Sequence, residues 1–298
     1  MKTPAPQVQI HLLIVLLAFT AILGKIITLP VPALVFWRTI IAAAGMFVLL
    51  ILTRPALLKL PDRKQIPLIL AAGAVIGLHW ICFFGAILLS NVSVALSAMA
   101  SISLFTAFTE AWHEKRAPHR HEIILGLVVF AGLIIIVGVE FHYLAGLLVG
   151  LVGTFLAAIF PVWNRALVRQ GLPARTLLLY EMSAANLAIV VCLALIPGSH
   201  FQFAWPTTRD WLPLLVLALV CTTFGHTWHS NILKHLSAYT SNLAVNFEPL
   251  YGMILAAIIF KEYQNLSLGF YCGAALVIIA NFYEPMLMRR KRLRKIIP

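Results

Sequence analysis

The stretch "LAVNFEPLYGMILAAIIF", residues 243–260, decides the fold because it places a carboxylate, Glu248, inside an otherwise largely apolar run. In lipid, an acidic or basic side chain costs roughly 2.5 to 3.5 kcal/mol on insertion scales, so it is a functional candidate by default. The meaning of Glu248 therefore depends on whether the run lies in water or in a membrane.

The composition of the chain indicates a membrane. Of 298 residues, 61% are hydrophobic and 11% are charged, against roughly 45 to 50% and about 25% in soluble domains. Many apolar runs reach the roughly 17 to 25 residues that a helix needs to cross about 30 Å of hydrocarbon. We therefore predict an all-α integral membrane protein with ten transmembrane helices. The predicted spans are 9–28, 32–53, 66–89, 92–112, 121–140, 144–166, 174–196, 211–233, 237–260 and 265–285.

The net charge of +12 follows a topological pattern. With the N-terminus in the cytoplasm, eighteen of the twenty-two Lys and Arg residues lie on that side, and only Arg209 and Lys261 lie outside. This asymmetry is the positive-inside rule, so the charge does not indicate nucleic-acid binding. An even number of spans returns the basic tail, 286–298, to the cytoplasm, where it serves as a stop signal or contacts anionic headgroups. A bacterial inner membrane is the expected setting.

The chain carries no sequence signature of a cofactor, a metal or a nucleotide. It contains no Walker sequence, no Gly-rich nucleotide loop and no HExxH motif. The cysteines lie far apart in apolar runs, which predicts core thiols and neither a disulfide framework nor a metal site. An ATP-driven pump is therefore excluded for this chain alone. The four cysteines are Cys82, Cys192, Cys221 and Cys272.

Two halves of similar rhythm divide the chain. Each half has a small polar link ("LSNVS" and "LSAYTS"), then a span ending near a Glu, then a Gly-rich span. Direct identities at an offset of 147 residues, such as His79 with His226, are few and close to chance. Five spans per half is an odd number, so the second copy enters the membrane inverted, as in many secondary transporters. We predict two inverted repeats, 9–140 and 144–285, around a central cavity.

Three segments resemble the EamA domains of the drug/metabolite transporter superfamily. They are "PALVFWRTIIAA", "SNVSVAL" followed by a helix ending in Glu, and "LSAYTSNLAVNFEPLYGMILAAIIFKE" followed by "LGFYCGAALVIIAN". The resemblance covers nearly the whole chain and is specific for the fold but not for the substrate. It implies a ten-helix basket with helices one, three, four, six, eight and nine facing the cavity. The first half has "SISLF" where the family usually has a Pro in the fourth helix, so we expect the two halves to flex differently.

Glu248 is the main site candidate. Pro249 cannot donate a backbone hydrogen bond and disfavours helical geometry at the residue before it, which predicts a kink. Irregular backbone is tolerated at membrane depth only where it faces protein or a watery cavity. We therefore expect Glu248 to face the cavity with Asn246 and Tyr251, binding a substrate amine or cycling a proton. The alternative is a protonated Glu hydrogen-bonded to a neighbouring helix.

Histidines and aromatic residues form a second group of candidates. His226 and His229 lie three residues apart in "GHTWHSNI", and His79 occupies the matching place in the first half. Because histidine titrates near neutral pH, these side chains could relay protons or bind substrate, but as metal ligands they lack further partners. An aromatic wall for a flat or cationic group is a further hypothesis, with core packing as the commoner explanation. Its members are Trp80, Trp163, Trp228 and Tyr251.

Among the remaining intramembrane charges, Arg38 is predicted to be structural. Arg38 is expected to pair with Glu140 or to extend to the headgroups. Glu181 is expected to pair with Arg165 or Arg175. Lys25, near the outer end of the first span, is a candidate for closing the mouth of the cavity. The small residues of "GLLVGLVG", Gly146, Gly150 and Gly153, predict close helix packing.

Together these features predict a secondary transporter that works by alternating access. Our first choice is export of an amino-acid-like or amphipathic small metabolite, driven by a proton gradient, by exchange or by the substrate's own gradient. A membrane-embedded enzyme, a channel and a lipid scramblase are the alternatives. The expected partners are the substrate and the lipid bilayer, and a homodimer is left open.

Overall fold

The computed structural model describes residues 5–118, 141–195, 203–245, 247–264 and 266–276, with a few isolated positions between 120 and 135 and at 279. Every regular element assigned in these residues is helical. The helices are α1 (Pro6–Ile26), α2 (Val31–Thr53), α3 (Ile66–Leu89), α4 (Val92–Met99), α5 (Ile102–His113), α6 (Leu144–Arg169), α7 (Ala174–Leu195), α8 (Thr208–Leu215), α9 (Gly225–Ile232), α10 (Ala238–Val245) and α11 (Glu248–Phe260), with a π-helical segment, Val216–Phe224, between α8 and α9.

Seven helical stretches in the described residues are long and apolar enough to cross a membrane. They correspond to the first four predicted spans and to the sixth, seventh and eighth. Most of the predicted fifth span, 121–140, and part of the tenth, 265–285, lie outside the described residues, so the count of ten stays a prediction. The seven stretches are Val8–Ile26, Val31–Thr53, Ile66–Leu89, Val92–His113, Phe141–Arg169, Ala174–Val191 and Thr208–Ile232.

The predicted ninth span is interrupted next to Glu248, as its proline suggested. Helix α10 ends at Val245, and α11 begins at Glu248 with Pro249 in its first turn. Proline fits there because the first amides of a helix have no intrahelical partner. The observed break between α10 and α11 thus confirms the kink that Pro249 predicts.

The fourth span is also interrupted, although it lacks a proline. Helices α4 and α5 are separated by a turn at Ala100 and Ser101. The hydroxyl of Ser101 donates to the carbonyl of Ala98 at 2.7 Å, and such local bonds compete with regular helical pairing. Both halves therefore have a broken helix at this position, from different local causes.

Helix α3 packs most extensively against α6 and α7. The predicted small-residue packing of α6 is confirmed. A Cβ atom at Gly150 would lie 2.9 Å from Cβ of Ala98, and one at Gly153 would lie 2.8 Å from Cβ of Cys82. These glycines serve contacts inside the chain.

Gly73 on α3 makes the same kind of contact with α7, and we expect Gly73→Ala to destabilise the protein by about 1 to 3 kcal/mol, the usual cost of overpacking. The added Cβ would lie 2.5 Å from the backbone oxygen of Glu181 and 2.6 Å from Cβ of Ala184. Gly85→Ala on the same helix is the control, since the nearest described atom to its Cβ would be Cγ1 of Val149 at 3.7 Å. Thermal unfolding in detergent measures both variants, and equal midpoints would contradict this packing.

Candidate functional site

A cavity of about 70 Å³ lies between the helices near the centre of the bundle. Its lining residues lie on α2 and on α1, α3, α4, α5, α6, α9, α10 and α11. Apart from α2, these helices belong to the first, third, fourth, sixth, eighth and ninth spans, which the resemblance predicts to face the cavity. This volume has room for a few water molecules, so a metabolite can enter only after the helices move apart. The ionisable lining residues are Arg38, His79, His226, His229 and Glu248.

Glu248 lies in the first turn of α11, lines this cavity and is 7% exposed. A carboxylate at a helix N-terminus is favoured by the helix dipole. Among the described residues, no hydrogen bond or ion pair reaches this carboxylate. Its neighbour Asn246, which was predicted to share the site, lies outside the described residues. The carboxylate is therefore buried beside a cavity and available to a ligand or a proton.

Arg38 also lines the cavity, which the sequence analysis missed. Its side chain is 1% exposed, so the expectation that it extends to the headgroups is wrong. Its Nε donates a hydrogen bond of 2.8 Å to Thr222 Oγ1, and its guanidinium carbon lies 3.7 Å from the centre of the Trp80 ring. These contacts hold the guanidinium in the bundle. The expected partner Glu140 lies outside the described residues.

The three predicted histidines meet at the same cavity. The Nδ1 atom of His79 lies 2.9 Å from the carbonyl oxygen of Gly153, so Nδ1 carries the proton and donates. The Nε2 atom of His229 lies 2.7 Å from the Ser241 hydroxyl. The ring of His226 stands edge-on to Trp80, with centroids 5.4 Å apart. The structure thus brings the three imidazoles together, and their part in substrate or proton handling stays a prediction.

The predicted aromatic residues are divided between the cavity and the core. Trp80 lines the cavity, where Phe83 and Phe160 join it. Tyr251 and Trp228 instead pack against a cluster on α1 that includes Ile10, Leu13 and Ile14. Trp163 is half-buried on α6 and is not in the cavity lining. The chain therefore builds an aromatic lining at this cavity mainly from phenylalanine, which a search for Trp and Tyr overlooks.

At one end of the bundle, four residues form what we call the Lys25 cluster: Lys25, Val92, Ser93 and Glu262. Glu262 accepts from Lys25 Nζ at 2.6 Å, from the backbone amides of Val92 and Ser93 at 3.1 and 3.0 Å, and from the Ser93 hydroxyl at 2.7 Å. Burial acts to raise the pKa of Glu262, but the hydrogen bonds from Lys25 and Ser93 outweigh it, so the pKa lies below its usual range. The ionised carboxylate caps the N-terminus of α4.

A second group, the Arg165 cluster, consists of Glu110, Arg165, Ala238 and Tyr239. Glu110 accepts from Arg165 Nη1 at 2.9 Å and from the backbone amides of Ala238 and Tyr239 at 3.2 and 2.9 Å. It thereby caps the N-terminus of α10 while it closes an ion pair. Arg165 therefore does not pair with Glu181, which was one of our expectations.

Glu181 is buried on α7 away from the cavity. It accepts from Asn164 Nδ2 at 3.0 Å, and in the described part of the chain neither Arg165 nor Arg175 forms an ion pair with it. The expected pairing with either arginine is therefore wrong, because Asn164 lies opposite it on α6. Glu181 is a buried carboxylate with a structural partner, in contrast to Glu248.

The two clusters lie at opposite ends of the same pair of broken helices. Helix α4 begins at the Lys25 cluster, and α5 carries Glu110 at its far end. Helix α10 begins at the Arg165 cluster, and Glu262 follows α11. The helical path from Val92 to Glu110 is about 27 Å at about 1.5 Å per residue, and Met99 and Ile102 line the cavity midway. The broken helices therefore run in opposite directions, and each has its N-terminus capped by a carboxylate from the end of the other.

Comparison with known proteins gives consistent results. The model of the EamA-like transporter family matches residues 8–138 and again 144–283. The pseudopaline exporter CntI of Pseudomonas aeruginosa strain UCBPP-PA14 is 30% identical over 215 residues, which are 71% of this chain and 71% of that protein. CntI from strain PAO1 is equally similar. A crystal structure of another protein superposes with a TM-score of 0.67 over 96% of this chain and 98% of its own, at 17% identity, which supports the fold alone.

Proposed function

Because the chain belongs to the EamA-like transporter family, we propose that it is a secondary transporter that exports a small metabolite by alternating access. The observation that carries this proposal is the cavity beside Glu248, a buried carboxylate without a hydrogen-bond partner among the described residues. The relative named as an exporter supports the direction. The transported compound is expected to be amino-acid-like or amphipathic.

For the architecture, we propose ten transmembrane helices in two inverted five-helix repeats, 9–140 and 144–285. Two successive matches to the family model and the opposite directions of the broken helices support this arrangement. The distribution of basic residues supports cytoplasmic N- and C-termini. A Pseudomonas relative supports a bacterial inner membrane.

The two carboxylate clusters suggest how access alternates. Each cluster ties the beginning of one broken helix to the end of the other, and the cavity of about 70 Å³ lies between them. Release of the Lys25 cluster would open the outer side, and release of the Arg165 cluster would open the cytoplasmic side. Transport requires that the two clusters open in turn, as in the rocking of inverted repeats around a fixed site.

Glu248 is the proposed coupling group. Its carboxylate can hold a substrate amine in one state and a proton in another, so binding one displaces the other. The sequence contains no nucleotide-binding motif, which leaves a proton gradient, exchange or the substrate's own gradient as the driving force. The histidines of the cavity are candidates for the path of the proton.

The function is tested by comparing metabolites in the medium of cells that express the protein and cells that carry an empty vector. We expect at least one amino-acid-like compound to accumulate outside only with the protein. Purified protein in liposomes should then move that compound with saturable kinetics. A chemical product formed without any gradient would favour the membrane enzyme, and non-saturating flux or lipid exchange would favour a channel or scramblase.

A further inference from the structure

The guanidinium of Arg38 is held in place but only partly satisfied. Its Nε donates to Thr222 Oγ1, whose own hydrogen is donated to the carbonyl of Leu217 at 2.8 Å. Its face lies on Trp80. Its Nη1 has no hydrogen-bond partner among the described residues, and Nη2 donates to none of them either. A buried charge with unused donors is costly unless something pairs with it.

The π-helical segment explains why Thr222 can hold Arg38. Thr222 lies in that segment, and its hydroxyl reaches back five residues to Leu217. π-helical geometry is rare in proteins and is often found at functional sites. With the hydroxyl hydrogen used in this way, the oxygen lone pairs face Arg38. The arrangement fixes Nε and leaves the two Nη groups for another acceptor.

Glu248, the acid that lines the same cavity, does not accept a hydrogen bond from either Nη group of Arg38. Glu248 and Arg38 form neither a hydrogen bond nor an ion pair in the described part of the chain. A cation and an anion thus line one small cavity, near enough to attract each other but without a hydrogen bond between them. A ligand that carries both charges can satisfy both, whereas a simple amine would leave the Nη groups of Arg38 unpaired.

We propose that Arg38 is a substrate-binding residue that holds a carboxylate of the transported compound. This inference rests on the proposed transport function and narrows its substrate class to small amphoteric metabolites, with the carboxylate on Arg38 and the amine toward Glu248. A guanidinium fork matches the planar carboxylate through two parallel hydrogen bonds. Carboxylate is favoured over phosphate because Arg38 is the one lining residue, in the described part of the chain, that is cationic at every physiological pH.

The aromatic lining suggests a set of four probes with one common ring. Phenylalanine carries both charges, 3-phenylpropionate carries the carboxylate, 2-phenylethylamine carries the amine and phenyl phosphate carries a phosphate. We expect saturating phenylalanine to raise the Tm of the purified protein by about 3 °C or more, with a smaller rise for 3-phenylpropionate. Arg38→Gln should abolish the response to 3-phenylpropionate and leave any response to 2-phenylethylamine.

Two further variants separate binding from folding. Arg38→Lys keeps the charge but loses the fork, so we expect phenylalanine to bind at least about tenfold more weakly. Thr222→Val keeps the arginine and removes its anchor, so we expect a smaller loss of affinity. Removal of a buried charge can itself stabilise a protein, so the Tm of each variant with ligand is compared with the Tm of the same variant without ligand. Size-exclusion chromatography first shows that each variant is a single folded species.

Three results would overturn the inference. They are no shift of the wild-type Tm with either carboxylate probe, a carboxylate response that persists in Arg38→Gln, and a larger response to phenyl phosphate than to 3-phenylpropionate. None of these measurements depends on flux. Loss of the proposed function, seen as no protein-dependent transport of any compound, is therefore distinguishable from loss of this substrate assignment.

Discussion

Glu248→Gln is expected to lower protein-dependent export by about a hundredfold while the protein still folds. Glutamine keeps the shape of the side chain but removes the negative charge and the proton-binding site. Loss of one partner from a buried charge pair costs about 2 to 5 kcal/mol, and about 2.8 kcal/mol corresponds to a factor of about a hundred. The measurement is the initial rate of export, or of flux into liposomes, at equal protein levels.

Glu181→Gln is the matched control for this experiment. Glu181 is also a carboxylate buried in the bundle, but it is bound to Asn164 and does not line the cavity. We expect this variant to transport at close to the wild-type rate. If both variants lost transport equally, the effect would be a general consequence of neutralising a buried acid. Unchanged flux and pH dependence in Glu248→Gln would refute its coupling role.

Glu262→Gln and Glu110→Gln are expected to open the cavity toward opposite sides of the membrane. A glutamine side chain brings an NH2 donor into a cluster where the backbone amides already donate, and it removes the ion pair. Hydrogen bonds to charged groups contribute about 1.5 to 3 kcal/mol each, so access should rise about tenfold or more. Opening toward the outer side should also increase at low pH. The pKa of Glu262 is lowered in the folded protein, so the stabilisation from its carboxylate is lost as the pH falls through that pKa.

A cysteine reporter measures this opening. Thr20 lines the cavity, so Thr20→Cys in a background without the native cysteines reports access to a membrane-impermeant maleimide. Labelling from outside should rise with Glu262→Gln, and labelling from the cytoplasmic side should rise with Glu110→Gln. Glu114→Gln is the control, because Glu114 binds Arg165 and Arg116 but, among the described residues, caps no helix. Equal labelling from both sides in every variant would argue against two separate gates.

Much of the fold was predictable from the sequence because it depends on local composition. Run length and hydrophobicity located seven of the spans in the described residues, and the proline after Glu248 located one break in the backbone. The break in the fourth span was not predictable in this way. It depends on a serine turn, and serine in an apolar run has no fixed backbone preference.

The candidate site was predictable in part. Glu248 and the three histidines were identified by the cost of polar groups in lipid, and they meet at one cavity. Arg38 was assigned a structural role, because the position of a residue along one span does not show which residues of other spans, here Thr222 and Trp80, will contact it. Tyr251 was expected in the cavity from its helical spacing, yet α1 covers it.

By itself, the sequence determined that the chain belongs in lipid, which segments are long and apolar enough to cross it, and where a charge is costly enough to indicate a role. These properties depend on transfer free energies and backbone restrictions that each segment carries alone. Only the tertiary structure decided that Arg38 faces the same cavity as Glu248, and that Lys25 and Arg165 close clusters with acids far away in the chain. Such pairings depend on which helices become neighbours, and the hydrophobic effect that inserts helices into lipid does not specify their neighbours.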